Sequence, residues 1–323
     1  MDFQVTDLCR MCGAQLSEIE RGVVNVCSRC AAGSGATGAG QASSNSGFDY
    51  RPAAPVYGGP VQYGYQQYRY SQGPVVHDAD HPAWGVGTGL LVWGASVAAL
   101  LVLQLAVAAI WTIVQMGTTG RVPEVTAAEP PESLVFWAVV SSIPAHLVTL
   151  AICWGVVTKG GRRPFFASLG WTWAGLPVLA RVGLVVGVVV VTFAAAQGLD
   201  KILPDKNVTD FEKLLKTSER VRIIVAALAV LTAPLVEEVV YRGVLFAGLR
   251  SRLAAAPTIF IVTLMFAGVH FIQYWGAWGA IIQLTFLSLL LTLIRARSKS
   301  VLPCFAIHTL FNMLGSVGIL FHR

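Results

Sequence analysis

The chain has 323 residues, 55% of them hydrophobic and 12% charged, with a formal net charge of +6 and a mean hydropathy of +0.64. Soluble domains carry about 25% charged residues, so the composition excludes a soluble globular protein and indicates an integral membrane protein with a soluble appendage. In such a chain the surplus of Lys and Arg is read as flanking the cytoplasmic ends of helices, and no nucleic-acid partner is expected.

Residues 1–19 are polar, contain cysteines and lack the apolar run of a cleavable signal, so the first membrane helix is expected to direct insertion. Residues 1–30 hold Cys9-x-x-Cys12-Gly13 and then Cys27-x-x-Cys30. Two such pairs, about 14 residues apart, resemble a zinc ribbon with four thiolate ligands. Four thiolates leave no open coordination position, so the expected zinc is structural. So short a segment has no core of its own, and the metal would supply its folding energy. Paired disulfides are the alternative, and they would need an oxidising compartment. The module is expected to recruit or position a protein partner. Cys153 and Cys304 stand alone in apolar segments and read as small hydrophobes. Residues 31–83 are rich in Gly, Ala and Ser, then in Tyr, Gln and Pro, with no apolar periodicity, and read as a disordered tether.

Residues 84–323 read as an all-α membrane bundle of about seven helices. The candidate spans are 90–114, 134–157, 182–199, 221–251, 258–274, 277–294 and 301–321. Their flanking charges set an orientation. Lys159, Arg162 and Arg163, then Arg250 and Arg252, then Arg295, Arg297 and Lys299 fall on one side under strict alternation, and that side is expected to be the cytoplasm. The segment after the first span, with Glu124, Glu129 and Glu132 against Arg121, then lies outside. The N-terminus lies inside, where thiols stay reduced. The 200–220 segment falls outside, and its Lys201, Lys206, Lys213 and Lys216 pull the other way. Its Phe211, Leu214 and Leu215 predict a short amphipathic helix on the membrane surface.

Three polar motifs interrupt the last apolar segments: Glu237-Glu238-x-x-x-Arg242, Phe266-x-x-x-His270 and His308-x-x-x-Asn312. Ionisable residues inside spanning helices are costly and mark functional sites. At 1.5 Å rise per residue, Glu237, His270 and His308 each sit about 14 to 20 Å from the basic ends of their helices. Residues four apart share a helix face, so Glu238 is expected to pair with Arg242, while Glu237 points elsewhere. His308 and Asn312 share another face, and Phe266 is expected to wall the site. A carboxylate beside imidazoles can activate water, and an amide N–H can stabilise an oxyanion. The bland alternatives are an interhelical hydrogen bond for each histidine and a topological staple for the Arg–Glu pair. His146, in a helix containing Pro144, reads as a hydrogen-bonder beside a kink, and Arg181 as an interfacial anchor.

The three motifs together resemble the signature motifs of the CPBP (Abi) intramembrane proteases, which include the type II CAAX prenyl endopeptidases. The resemblance covers roughly residues 220–321, and no residue of the three motifs is missing. It implies a helical bundle with a membrane cavity open toward the cytosol. It also implies that Glu237, with His270, activates water, that His308 and Asn312 stabilise the oxyanion, and that Glu238 and Arg242 support them. The expected activity is hydrolysis of peptide bonds in membrane-associated proteins or peptides, with no metal in the active site. A zinc metalloprotease built on His270, His308 and a glutamate is one alternative. A non-catalytic adaptor or immunity protein is another.

Overall fold

The computed structural model describes residues 82–126, 130–203 and 209–321. The zinc candidates Cys9, Cys12, Cys27 and Cys30 lie outside the described residues, as does the tether up to residue 81. Every regular element among the described residues is helical. Helix α1 (Val86–Thr119) is followed by α2 (Glu132–Val140), α3 (Ser142–Thr158), the single turn α4 (Phe165–Ser168) and α5 (Val178–Ile202). Then come α6 (Asp210–Thr217), α7 (Glu219–Leu231), α8 (Ala233–Glu237), a π-helical segment (Glu238–Leu245) and α9 (Phe246–Arg250). Helices α10 (Ala255–Phe271), α11 (Trp278–Ser298) and α12 (Leu302–Phe321) complete the bundle.

The protein is an integral membrane protein. Helix α1 leaves Leu91, Leu101, Leu105 and Ile113 more than half exposed, an apolar surface that lipid would cover. Among the described residues, five helices or helix runs are long and apolar enough to cross a membrane, or six if the bent run from Glu219 to Arg250 counts as one span, one short of the expected seven or so. The difference lies in α10, whose 17 residues cover about 25 Å, short of the roughly 30 Å of hydrocarbon. Its sequence continues apolar toward Tyr274, but a turn closes on Gly276 at φ 86° and ends the helix early.

Two breaks shape the centre of the bundle. Pro144 stands in the first turn of α3, just past the break at Ser141. Pro234 stands just past Thr232, where the chain bends by 40° between α7 and α8. A proline lacks the N–H and crowds the preceding turn, so each break has a covalent cause. The breaks meet, because His146 Nδ1 and Thr232 Oγ1 are hydrogen-bonded at 2.9 Å. His146 thus holds two kinked helices together, in the role its sequence context indicated.

After the second bend the chain enters the π-helical segment, where the Phe246 N–H donates to Tyr241 O five residues back. Such wide turns are rare and concentrate at functional sites. All eight of its residues are buried. Val239, Val240, Val244 and Leu245 pack with Val92 of α1, Cys153 and Val157 of α3, and Phe266 of α10. A second core joins Val189, Leu287, Leu291, Cys304 and Ile307. Both lone cysteines are buried and free, and pack as hydrophobes. Helix α1 approaches α9 through glycines: a Cβ on Gly248 would stand 3.0 Å from Gly85 O and 3.4 Å from Gly89 Cα.

The bundle has two distinct ends. At one, Ser300 Oγ donates to Gly170 O at 2.6 Å, the Val301 N–H donates to the same oxygen at 3.1 Å, and Gly85 meets Gly248. This is the end of Lys159, Arg162, Arg163, Arg250, Arg252, Arg297 and Lys299. At the other, Trp111 Nε1 donates to Ser133 Oγ at 2.9 Å, and the Phe211 and Tyr274 rings lie 5.4 Å apart. Aromatic groups sit at both ends, Phe166, Trp171 and Phe305 at the first and Phe271, Trp275 and Trp278 at the second. They resemble the interfacial belts of membrane proteins.

Arg295 departs from its expected place among the end-marking cations. It is fully buried, its Nε donates to Arg242 O at 2.9 Å, and its guanidinium lies 4.9 Å from the Phe246 ring centre. The α6 helix forms as expected, started by a capping box between Thr209 and Glu212. Its apolar face is turned onto the bundle, however, where Phe211, Leu214 and Leu215 pack on Val135, Val221 and Val225. Burying those three residues against protein competes with laying them on lipid, and here the protein contact wins.

Candidate active site

The three motifs come together around one cavity of about 490 Å³. Glu237, Phe266, His270, His308 and Asn312 all line it. Glu238 and Arg242 stand behind that wall, both with fully buried side chains.

The two adjacent glutamates have different surroundings. Glu238 Oε1 accepts from Arg242 Nη1 at 3.0 Å and from His308 Nδ1 at 2.8 Å. Arg242 Nη2 donates to both Ser288 O at 3.1 Å and Ser288 Oγ at 2.9 Å, and its guanidinium carbon lies 4.7 Å from the Phe266 ring centre. Glu238 is thus held in a charge-assisted network, which a buried carboxylate requires. One residue away, Glu237 keeps 25% of its side chain exposed, and its Oε2 lies 3.7 Å from His308 Nε2. His308 therefore stands between the two carboxylates. Its Nδ1 faces a carboxylate oxygen, which can only accept, so that nitrogen is assigned the hydrogen.

His270 lines the cavity with its Nδ1 3.2 Å from Gln273 Oε1. The Phe266 ring centre is 5.2 Å from that of His270 and 6.1 Å from that of His308, so Phe266 separates the imidazoles as a wall residue. The imidazole within ion-pair range of Glu237 is that of His308. Asn312, one turn beyond His308, donates one amide hydrogen to Ala229 O at 2.9 Å. This fixes the side chain and leaves a second N–H on the same nitrogen. Among the described residues no three of His, Cys, Asp and Glu converge as a metal ion would need.

Residues 219–314 match the family model of the type II CAAX prenyl endopeptidase Rce1-like proteins. No curated protein and no solved structure matches the chain. The Rce1-like segment runs from α7 into α12 and contains all six polar residues of the three motifs. The likeness to CAAX prenyl endopeptidases is a likeness of this segment, less than half of the chain. The helices before it complete the cavity: Leu100 and Gln104 of α1, Ser142 and His146 of α3, and Phe211 and Leu214 of α6 all line it.

Several residues around the Rce1-like site carry no signal in the sequence. Ser288 is one of five hydroxyl or amide side chains along α11, with Gln283, Thr285, Thr292 and Ser298, and only the fold selects it as the partner of Arg242. Thr232 and Gln273 likewise anchor two of the three cavity histidines, His146 and His270, from positions outside any motif. Arg295 holds the carbonyl of Arg242 from a place where a boundary cation was expected.

Proposed function

We propose that this protein is an intramembrane endopeptidase in which Glu237 activates water. The observation that carries the reading is the division of labour between neighbouring carboxylates: Glu237 faces the cavity, whereas Glu238 is sealed behind it by Arg242 and His308. A water held at Glu237 would give a proton to that carboxylate while its oxygen attacks the carbonyl carbon of the scissile bond. The resemblance pairs His270 with Glu237 in holding that water. The tetrahedral oxyanion would then be met by the second N–H of Asn312 and by Nε2–H of His308, which must carry hydrogen on both ring nitrogens to donate there while Nδ1 stays on Glu238; the two residues share one face of α12. As the C–N bond breaks, Glu237 returns the proton to the leaving amine. The Glu238–Arg242 pair positions His308 and touches no substrate.

Away from the polar wall the cavity is lined by Leu100, Val139, Leu228, Leu284, Leu287, Phe311 and Ile319. Such a lining excludes bulk water and suits the apolar residues of a membrane-associated peptide or protein. We place the protein in the cell membrane with its N-terminus in the cytoplasm. Residues 1–30 are proposed as a separate module holding one structural zinc through Cys9, Cys12, Cys27 and Cys30, and offering a surface to a protein partner.

The test is Glu237→Gln, which keeps shape and removes the base. It should lower the hydrolysis rate by about 10² to 10⁴ without a change in unfolding temperature. To separate this reading from a metalloprotease, the same assay is run on a variant with Cys9, Cys12, Cys27 and Cys30 all changed to serine. A strong chelator should leave its activity intact. Inhibition that added Zn²⁺ reverses would overturn the glutamate mechanism.

A further inference from the structure

Part of the cavity's polar lining comes from outside the three motifs. Gln104 of α1 and His146 of α3 both line it, and both precede the segment that matches the Rce1-like family model. Gln104 interrupts the apolar run of a 34-residue helix and is half-buried. Among the described residues its amide has no hydrogen-bond partner. Such an amide is costly to keep among apolar groups and marks a functional position. Two contacts fix its level: Val92 of α1 packs in one core with Cys153 and Val157 of α3, and Trp111 bonds to Ser133. Gln104, about 18 Å along α1 from Val92, falls level with the first turns of α3, where His146 stands.

His146 uses one ring nitrogen for the fold. The Thr232 hydroxyl has one hydrogen and two acceptors within reach, His146 Nδ1 at 2.9 Å and Leu228 O at 3.4 Å. The Leu228 carbonyl already accepts from the Thr232 N–H at 3.2 Å, so the hydroxyl hydrogen is assigned to the shorter contact. Nδ1 then accepts, and the neutral imidazole carries its hydrogen on Nε2. Among the described residues Nε2 has no partner. Thr232 precedes Glu237 by about one and a half helical turns, so this donor lies near the cavity's carboxylate.

A peptide drawn into an apolar cavity loses the water around its backbone, and each N–H or C=O left unpaired there is costly. We propose that Gln104 and His146 form a subsite that holds the backbone of the substrate peptide. The Gln104 amide accepts from a peptide N–H and donates to a peptide C=O, and His146 Nε2–H donates to another carbonyl. Both are positioning residues and take no part in bond breaking. The proposal rests on the peptidase reading for the identity of the ligand.

The test uses the full chain and a fluorescent peptide with leucines around its central bond. Binding is measured on Glu237→Gln, which should not cut it, with Gln104→Leu or His146→Asn added. The Asn amide can take the place of Nδ1 against Thr232 but leaves nothing where Nε2 stood. Each added change should weaken binding about tenfold. The unfolding midpoint should hold for His146→Asn and hold or rise for Gln104→Leu, which removes an unpaired amide. His146→Leu, which also breaks the Thr232 link, should lower it. With Glu237 intact, Gln104→Leu and His146→Asn should raise KM about tenfold and leave kcat near the original. Equal binding by all three proteins, or no binding by Glu237→Gln itself, overturns the proposal. Weaker binding accompanied by a lowered midpoint in both variants also overturns it, because the residues would then be structural. Failure of the unaltered protein to cut the peptide counts against the peptidase reading, and the binding series still decides the subsite.

Discussion

His308 Nδ1 stands 2.8 Å from Glu238 Oε1, the same oxygen that accepts from Arg242 Nη1 at 3.0 Å. One carboxylate oxygen thus ties the π-helical segment to α12, while Arg242 carries the tie onward to Ser288 of α11. The link is electrostatic and fully desolvated, so its parts are expected to be costly to remove singly.

Glu238→Gln leaves the buried Arg242 charge without its counter-ion. The expected loss is about 3 to 5 kcal/mol of stability. Glu237→Gln, at the cavity surface, should stay within about 1 kcal/mol of the wild type, since it breaks no buried pair. Denaturant unfolding of both variants in the same detergent checks the ranking, and a more damaging change at Glu237 would contradict it.

Asn312→Ala removes an amide whose orientation is fixed by Ala229 O. If Asn312 stabilises the oxyanion, kcat should fall by about 10² or more with KM near its original value. A rise in KM alone would assign Asn312 to substrate binding instead.

Ser288→Ala should cost only about 1 kcal/mol, because the Ser288 carbonyl still accepts from Arg242 after the hydroxyl is gone. The unfolding midpoint reads this directly. A loss as large as that of Glu238→Gln would mean that the hydroxyl, not the carbonyl, holds the guanidinium.

Gly248→Ala places a methyl 3.0 Å from Gly85 O, a backbone atom that moves only if α1 moves. Overpacking of this kind costs about 1 to 3 kcal/mol. Gly117→Ala is the matched control within α1, with nothing within 4 Å of its new Cβ. It should gain about 0.5 to 1 kcal/mol from helix propensity. Thermal unfolding of the two variants should shift in opposite directions.

The purified full chain should carry about one zinc, held by four thiolates. Metal analysis of Cys9→Ser and Cys27→Ser should show that zinc reduced or lost, with hydrolysis of a generic peptide retained. Loss of hydrolysis with the membrane core still folded would refute the reading of residues 1–30 as a separate module.

Much of the site was legible in the chain because its signals are local. A glutamate four residues before an arginine in an apolar helix has few other ways to be neutralised, so the buried Glu238–Arg242 pair followed from spacing alone. Phe266 as a wall residue and the different facing of Glu237 followed from the same periodicity, even though Glu238 opens a π-helical turn. What spacing cannot reach is anything fixed by another helix. That His308 lies within range of both carboxylates depends on how α12 lies against the π-helical segment. That Ser288 serves Arg242 and that Arg295 turns inward depend on the approach of α11. The α6 helix shows the same division. Its capping box and apolar face are written in residues 209–217, but whether that face meets lipid or protein was decided by the partners it found, Val135, Val221 and Val225. Sequence periodicity determines which residues share a face. Only packing between elements distant in sequence decides what that face meets, and here it placed the polar residues of three motifs at one cavity.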